Sequence, residues 1–326
     1  MNSVDNLDAT IAPQASPEGA LSPADLLLFG DLGKPQFEDP AESVSKDSLE
    51  AARALARSLG RRVDGPVRKS FVRPMTPEPG LVAPLAKIYS GGRSGTVAVK
   101  LYLALLWQCA APPFSTDKPA RAWATLLDLE DPAGKGARRI KDALRALSEA
   151  NLIRLQAQPG YPNVVTLLDE SGSGAEYELP SSAYSHAQRH GAEELRLTAL
   201  RYFKVPPDLW TQGHMQKLRG PGLVMLLILL TEKAGIGEKV WFSTEEFPKR
   251  YNISHKTRAA GTRELLSRGL LTVESQSLGP RPGASAFDMR RRRKVYRLTP
   301  IAQVRAPENL PSPASSPKTP QPASQS

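Results

Sequence analysis

A seven-residue pattern near the middle of the chain returns near its end. Residues 147–153 (LSEANLI) align without a gap on residues 265–271 (LLSRGLL). An F-S-T tripeptide precedes each copy, at Phe114 to Thr116 and at Phe242 to Thr244, and an apolar run precedes each tripeptide. No single match decides anything, but three in the same order make the architecture a duplicate. Whatever folds around residue 147 should fold again around residue 265.

The second copy is the easier to read. Ser243 with Glu246 three residues on has the form of a capping box, so a helix is expected from Ser243. Pro248 then falls inside that helix, where it would remove a hydrogen bond, so the helix must start later or kink. Asn252-Ile253-Ser254 closes it, and Ser254 is placed to cap the next helix. Gly269 ends that helix, because glycine enters the left-handed conformation without a Cβ penalty. LLTVES and KVYRLT are β-rich and predict a hairpin with a basic loop.

The first copy has the same elements. Residues 96–110 read as an apolar helix, 118–129 as a second and 138–150 as a third. In the third, Ile140, Leu144 and Leu147 recur at the spacing of one buried face. Asn151 stands where Gly269 stands in the other copy, and asparagine is the next residue most tolerant of that conformation. IRLQAQ and NVVTLLDE, around Pro159-Gly160-Tyr161-Pro162, predict a hairpin.

The rest is arranged around these copies. Residues 1–45 are acidic and Pro/Ser-rich, without sustained periodicity, and are expected to be disordered. Ala24 to Phe29 (ADLLLF) is either a docking motif or residual hydrophobicity, the latter the simpler reading. Residues 46–80 predict a helix over 47–62 followed by a basic linker. Domain boundaries at 81–170 and 196–300 leave 171–195 as a linker; residues 177–196 contain no clear periodic element, and residues 171–200 are long enough to let both domains reach one face of a duplex. Residues 202–218 predict a lead-in strand and a short helix docking on the second domain, and residues 301–326 a disordered Pro/Ser-rich tail.

Charge separates these parts. Residues 1–60 carry ten acidic and four basic side chains, a balance of −6, whereas the whole chain is +10, so +16 lies beyond residue 60. Such a balance suits an anionic partner such as nucleic acid. The helix over 138–150 carries Arg138, Arg139, Lys141 and Arg145, diluted by Asp142 and Glu149. Its counterpart carries His255, Lys256, Thr257, Arg258 and Arg263. Arginine bonds guanine bidentately in the major groove, while lysine and threonine serve phosphates or bases. The hairpin loop adds Arg281 and the run Arg290, Arg291, Arg292, Arg293 and Lys294, whose mutual repulsion an anionic backbone would relieve. The bland alternative at each position is a solvated basic surface.

Catalytic patterns do not emerge. Gly134-Lys135-Gly136 lacks the upstream glycine and the hydroxyl residue of a phosphate loop, and no C-x-x-C occurs. His186 and His190 are four apart but lack the glutamate of a zinc-protease helix, and read as exposed histidines in a polar loop. Neither an enzyme nor a cofactor is expected. The single Cys109 lies in an apolar run and reads as a buried structural thiol in a reducing cytoplasm. The N-terminus lacks a signal-peptide pattern, and the longest apolar run, 223–230, is far short of the ~20 residues of a membrane helix.

The order of helices and hairpin resembles the winged helix-turn-helix, so an α+β fold of two tandem winged-helix domains with disordered tails is expected. The order of domains further resembles plasmid replication initiators and winged-helix transcription regulators. GGRSGTVAVKLYLALLW, GARRIKDAL and TLLDESGSGAEYELP resemble helix-turn-helix proteins of GC-rich bacteria. The resemblance covers residues 81–300 and implies sequence-specific binding of double-stranded DNA, at origin repeats or at promoters. It also implies recruitment of replication or transcription machinery, for which the acidic N-terminal segment is available. A winged-helix scaffold for protein partners is the other class, which would not need the cationic hairpin.

Overall fold

The computed structural model describes residues 43–60, 64–75, 80–89, 93–232, 239–278 and 292–303. The fold is α+β, with helices around three small antiparallel sheets. Residues 1–42 and 304–326, expected as tails, lie outside the described residues, as does ADLLLF.

Helix α1 (Lys46–Ser58) starts where Ser45 accepts a bond from the Ser48 amide, with Asp47 in its first turn and Arg57 in its last. These charges complement the helix dipole. It buries Leu49 and Ala52, and the Ser48 hydroxyl donates to the Leu126 carbonyl at 2.9 Å. The next stretch is not a linker. β1 (Gly65–Arg68) is buried throughout and pairs with β5 (Tyr202–Val205), from Gly65 opposite Val205 to Arg68 opposite Tyr202. The lead-in to the second unit thus completes a sheet whose other strand precedes the first.

The first unit comprises α2 (Pro84–Tyr89), α3 (Arg93–Gln108), β2 (Ser115–Thr116), α4 (Ala120–Leu126), α5 (Lys135–Glu149), β3 (Ile153–Gln158) and β4 (Tyr161–Leu167). Its sheet order is β2-β4-β3. The hairpin turn is only Pro159-Gly160, and Tyr161 and Pro162 already belong to β4, so the turn is tighter than expected. α5 buries Ile140, Ala143 and Leu147, with Leu144 partly covered. Cys109 is buried, and burial pushes its thiol up to about 12.

After the first hairpin come α6 (Pro180–Arg189) and α7 (Glu194–Ala199), within and just beyond the stretch expected to be a linker. α6 buries Ala183 and Ala187. Two alanines four apart make a buried face too small to register as hydrophobic periodicity. His186 and His190 are exposed as expected, but the first lies on this helix and the second caps its end, with their rings stacked 4.1 Å apart.

The second unit follows β5 through α8 (Asp208–Thr211), α9 (His214–Lys217), α10 (Gly220–Glu232), α11 (Glu246–Tyr251), α12 (His255–Ser267), β6 (Leu271–Ser277) and β7 (Arg292–Leu298). α11 begins at Glu246 rather than Ser243, although the Ser243 hydroxyl still accepts the Glu246 amide. Pro248 therefore sits in the first turn, where its missing N–H costs no helical bond. Ser254 caps α12 through the Thr257 amide. The helix ends also match across the units. Asn151 and Gly269 both have positive φ, 56° and 66°, and each lets the following amide return to the helix, Leu152 to the Leu147 carbonyl and Leu270 to the Leu265 carbonyl. Val240 bridges Tyr296, so the residues before F-S-T contact the hairpin here as Ser115–Thr116 contact β4 in the first unit.

The units are fused rather than tethered. α10 is buried on every side, with residues 223–230 all at most 5% exposed, whereas a helix on the surface of one domain buries a single stripe. One side of α10 meets α12, where Gly261 permits an approach that a Cβ would block, 2.2 Å from the Pro221 carbonyl oxygen. Another side meets α3 and α2 of the first unit. Trp107 stacks on Trp210 at 5.7 Å, Lys100 Nζ donates to the Gln216 carbonyl at 2.7 Å, and Arg73 pairs with Glu232 at 2.9 Å. Buried residues of both units form one continuous cluster.

A buried ionic group secures the joint. The Arg68 guanidinium reaches Glu170, Asp169 (3.2 Å) and the Glu178 carbonyl (2.7 Å). Glu170 is completely enclosed, and burial pushes its carboxyl up to about 7 against the opposing pull of Arg68, with Asp169 adding repulsion. A carboxyl whose folded value exceeds its unfolded one stabilises most fully below the unfolded value, and that contribution is lost as pH rises through about 7. The denaturation midpoint should therefore fall between pH 5 and pH 8. Glu170→Gln should flatten this slope, and an unchanged slope in urea titrations would show that another group sets it.

Candidate nucleic-acid interface

The cations singled out in sequence fall into three classes by placement. On α5, Arg138, Arg139, Lys141 and Arg145 are all exposed. Arg138, Lys141 and Arg145 are three and seven apart, hence on one face. Arg145 pairs with Asp142 at 3.1 Å, so the dilution expected from that aspartate is real. Arg138, Arg139 and Lys141 have no ion-pair partner among the described residues. The start of α5 is already occupied, since Asp131 accepts the Gly134 and Lys135 amides at 3.1 and 2.9 Å. Those two bonds hold the Asp131 carboxyl below its ordinary value.

On α12 the five candidates separate. Lys256 and Arg263 are exposed, seven residues apart on one face, and neither has an ion-pair partner among the described residues. His255 and Thr257 are half-buried. The Thr257 side chain shares hydrogen bonds with Ser254 and with Tyr89 of α2, which turns it toward the first unit. Arg258 does not belong to the surface at all. It is 8% exposed, its guanidinium lies 5.5, 5.0 and 5.7 Å from the rings of Phe242, Phe247 and Tyr296, and Nη2 donates to the Tyr296 hydroxyl at 3.1 Å. A cation over aromatic faces is attracted by the ring quadrupole, so this arginine can be held in the core. The repeat carried a signal for this. Arg258 is seven residues before Leu265, as Ile140 is seven before Leu147, and Ile140 is fully buried.

On the second hairpin, Arg292 is exposed at the start of β7. Arg293 stacks over Trp241 at 5.3 Å and donates to Gln276 at 2.9 Å, and Lys294 is half-buried. Arg281, Arg290 and Arg291 lie outside the described residues. Lys135 and Arg154, which no run of like charge marks in the sequence, are also exposed, at the two ends of the α5–β3 stretch.

A second group of cations gathers at the seam. Lys100 is buried, and its amine is pushed down to about 8 by that burial, opposed by Glu264 and reinforced by repulsion from Arg268, Lys217 and Arg139. Glu264 is committed elsewhere, accepting the Arg219 and Gly222 amides at 2.7 and 3.1 Å, so α12 caps α10 from outside. Lys217 pairs with Asp128 at 2.9 Å.

Among the described residues no three His, Cys, Asp or Glu side chains gather as a metal site requires, and no helix is long and apolar enough to cross a membrane. No family model, curated protein or solved structure matches the chain.

Proposed function

We propose that this chain is a sequence-specific double-stranded DNA-binding protein with two winged helix-turn-helix units. In this reading it initiates replication of a plasmid or mobile element by binding origin repeats and recruiting partners. The observation that carries DNA binding is the α12 surface. Lys256 and Arg263 stand exposed and unpaired among the described residues, two turns apart on the helix that a winged helix lays in the major groove. Arg138 and Lys141 are likewise exposed and without an ion-pair partner among the described residues on α5, beside Arg145, which is exposed but paired with Asp142. The +16 beyond residue 60 supplies the electrostatic term that dominates protein–DNA affinity. The role at an origin rests on the resemblance in element order to plasmid initiators.

Two experiments test the parts separately. Lys256→Ala and Arg263→Ala should each cost about 1–3 kcal/mol on the cognate site and much less on random duplex. Equal losses on both would mean that α12 does not read bases. Mapping of bound sites across host and plasmid DNA should find clustered direct repeats beside one origin. Sites scattered over promoters would overturn the replication role and leave DNA binding standing.

A further inference from the structure

Tyr161 is the most exposed large hydrophobic side chain among the described residues, at 76%. It stands at the tip of the β3–β4 hairpin, directly after Gly160, whose φ of 76° closes the two-residue turn. Residues 156–163 are all exposed, and QAQPGYPN contains no charge. The tip therefore projects from a basic protein without adding to its cationic surface.

The tip is also stiff. Pro159 and Pro162 fix their own φ, and Pro162 restricts Tyr161 to extended backbone. The register shift between Gln156 and Gln158 adds a bulge that twists the hairpin. Ordering costs on binding would be small, because the backbone is preset and a tyrosine has few rotamers to lose. Trp241, the exposed aromatic of the second unit, differs in that Arg293 already covers one face of its ring. Tyr161 has no ring contact of this kind among the described residues.

We infer that Tyr161 is a wedge that enters the minor groove of bound duplex DNA and stacks against a base step. This rests on the DNA-binding reading above. Uncharged wedges of this type unstack a step and kink the duplex toward the major groove, and the bend lets DNA meet more of the protein. The two hairpins then divide the work. The first deforms DNA without touching phosphates, while the second, with its arginines, neutralises them.

The test compares full-length protein with Tyr161→Ala, Tyr161→Phe and Tyr161→Trp on a duplex carrying the mapped site. Affinity is measured over a salt series, and bending by circular permutation. Tyr161→Ala should lose about tenfold in affinity with the salt slope unchanged, since no charge is removed, and should reduce the bend. Phenylalanine and tryptophan should restore both. Unaltered affinity and bend in Tyr161→Ala, with the wild type binding normally, would overturn the wedge alone. A changed salt slope would also overturn it, because the contact would then be to phosphate. Failure of the wild type to bind any duplex would instead remove the DNA reading on which the wedge depends. Circular dichroism of the alanine variant should match the wild type, as this ring is 76% exposed and lies outside the core cluster.

Discussion

Residues 196–303 expressed alone are expected not to fold. The cut removes β1, the partner of β5 along its whole length, and exposes the side of α10 that meets α3 and α2. That helix presents Leu223, Val224, Met225, Leu226, Leu227, Ile228, Leu229 and Leu230, none more than 5% exposed in the intact chain. A helix apolar on every side needs neighbours on every side, and those from the first unit would be gone. The cut also takes Arg73 from Glu232, which keeps Arg250 at 3.7 Å, and leaves the Gln216 carbonyl without Lys100. The full chain should melt in one cooperative transition, and the fragment should show none, with an amide spectrum of low dispersion. A fragment that melts cooperatively near the temperature of the whole protein would restore the picture of two domains on a tether.

Arg258→Ala should destabilise by about 3 kcal/mol, whereas Arg258→Met should come close to neutral. Alanine empties a site bounded by three aromatic rings and leaves the Tyr296 hydroxyl without its donor, which combines a cavity with a lost buried bond. Methionine fills most of the same volume with an apolar, adaptable chain and removes a charge that has a single hydrogen-bond partner among the described residues. Ile140 shows that the equivalent position of the first unit accepts an apolar residue. DNA affinity separates the two roles available to this arginine. If it belongs to the core, Arg258→Met binds the cognate duplex as the wild type does. If Arg258→Met folds normally and loses specific binding, the side chain leaves the core to contact DNA.

The legible parts of the fold were those written in local chemistry. Ser254, Asn151 and Gly269 act at single positions, through one hydroxyl and two left-handed residues, and each lies where the chain order required. The hairpins followed from β-rich runs, and the helices from caps, apolar runs and, at Ile140, Leu144 and Leu147, periodicity. The β1–β5 pairing was not legible, because its strands are four residues long and separated by more than a hundred residues of chain. Local pattern carries no information about such a partner, and the buried alanines of α6 left too weak a stripe to mark a helix. The fusion of the units was hidden for the same reason. Its one outward sign was the unbroken apolarity of residues 223–230, which is more than a single-domain surface helix needs.

At the candidate interface the cations that cluster in the sequence occupy different environments. Lys256, Arg263, Arg138, Lys141 and Arg145 lie on exposed helix faces, while Arg258, within the same five-residue cluster, lies among aromatic rings. Charge density along a sequence does not distinguish the two environments. Helical phase does, and Arg258 shares the phase of Thr262 and Leu265, both buried.

The most direct test of the account is the affinity of the full chain for duplex DNA measured across a salt series. With roughly six phosphates neutralised by the exposed helix faces and the second hairpin, log K should fall against log salt with a slope near −5. Binding that ignores salt, or no binding to any duplex at low salt, would contradict the account and turn the same surfaces over to a protein partner.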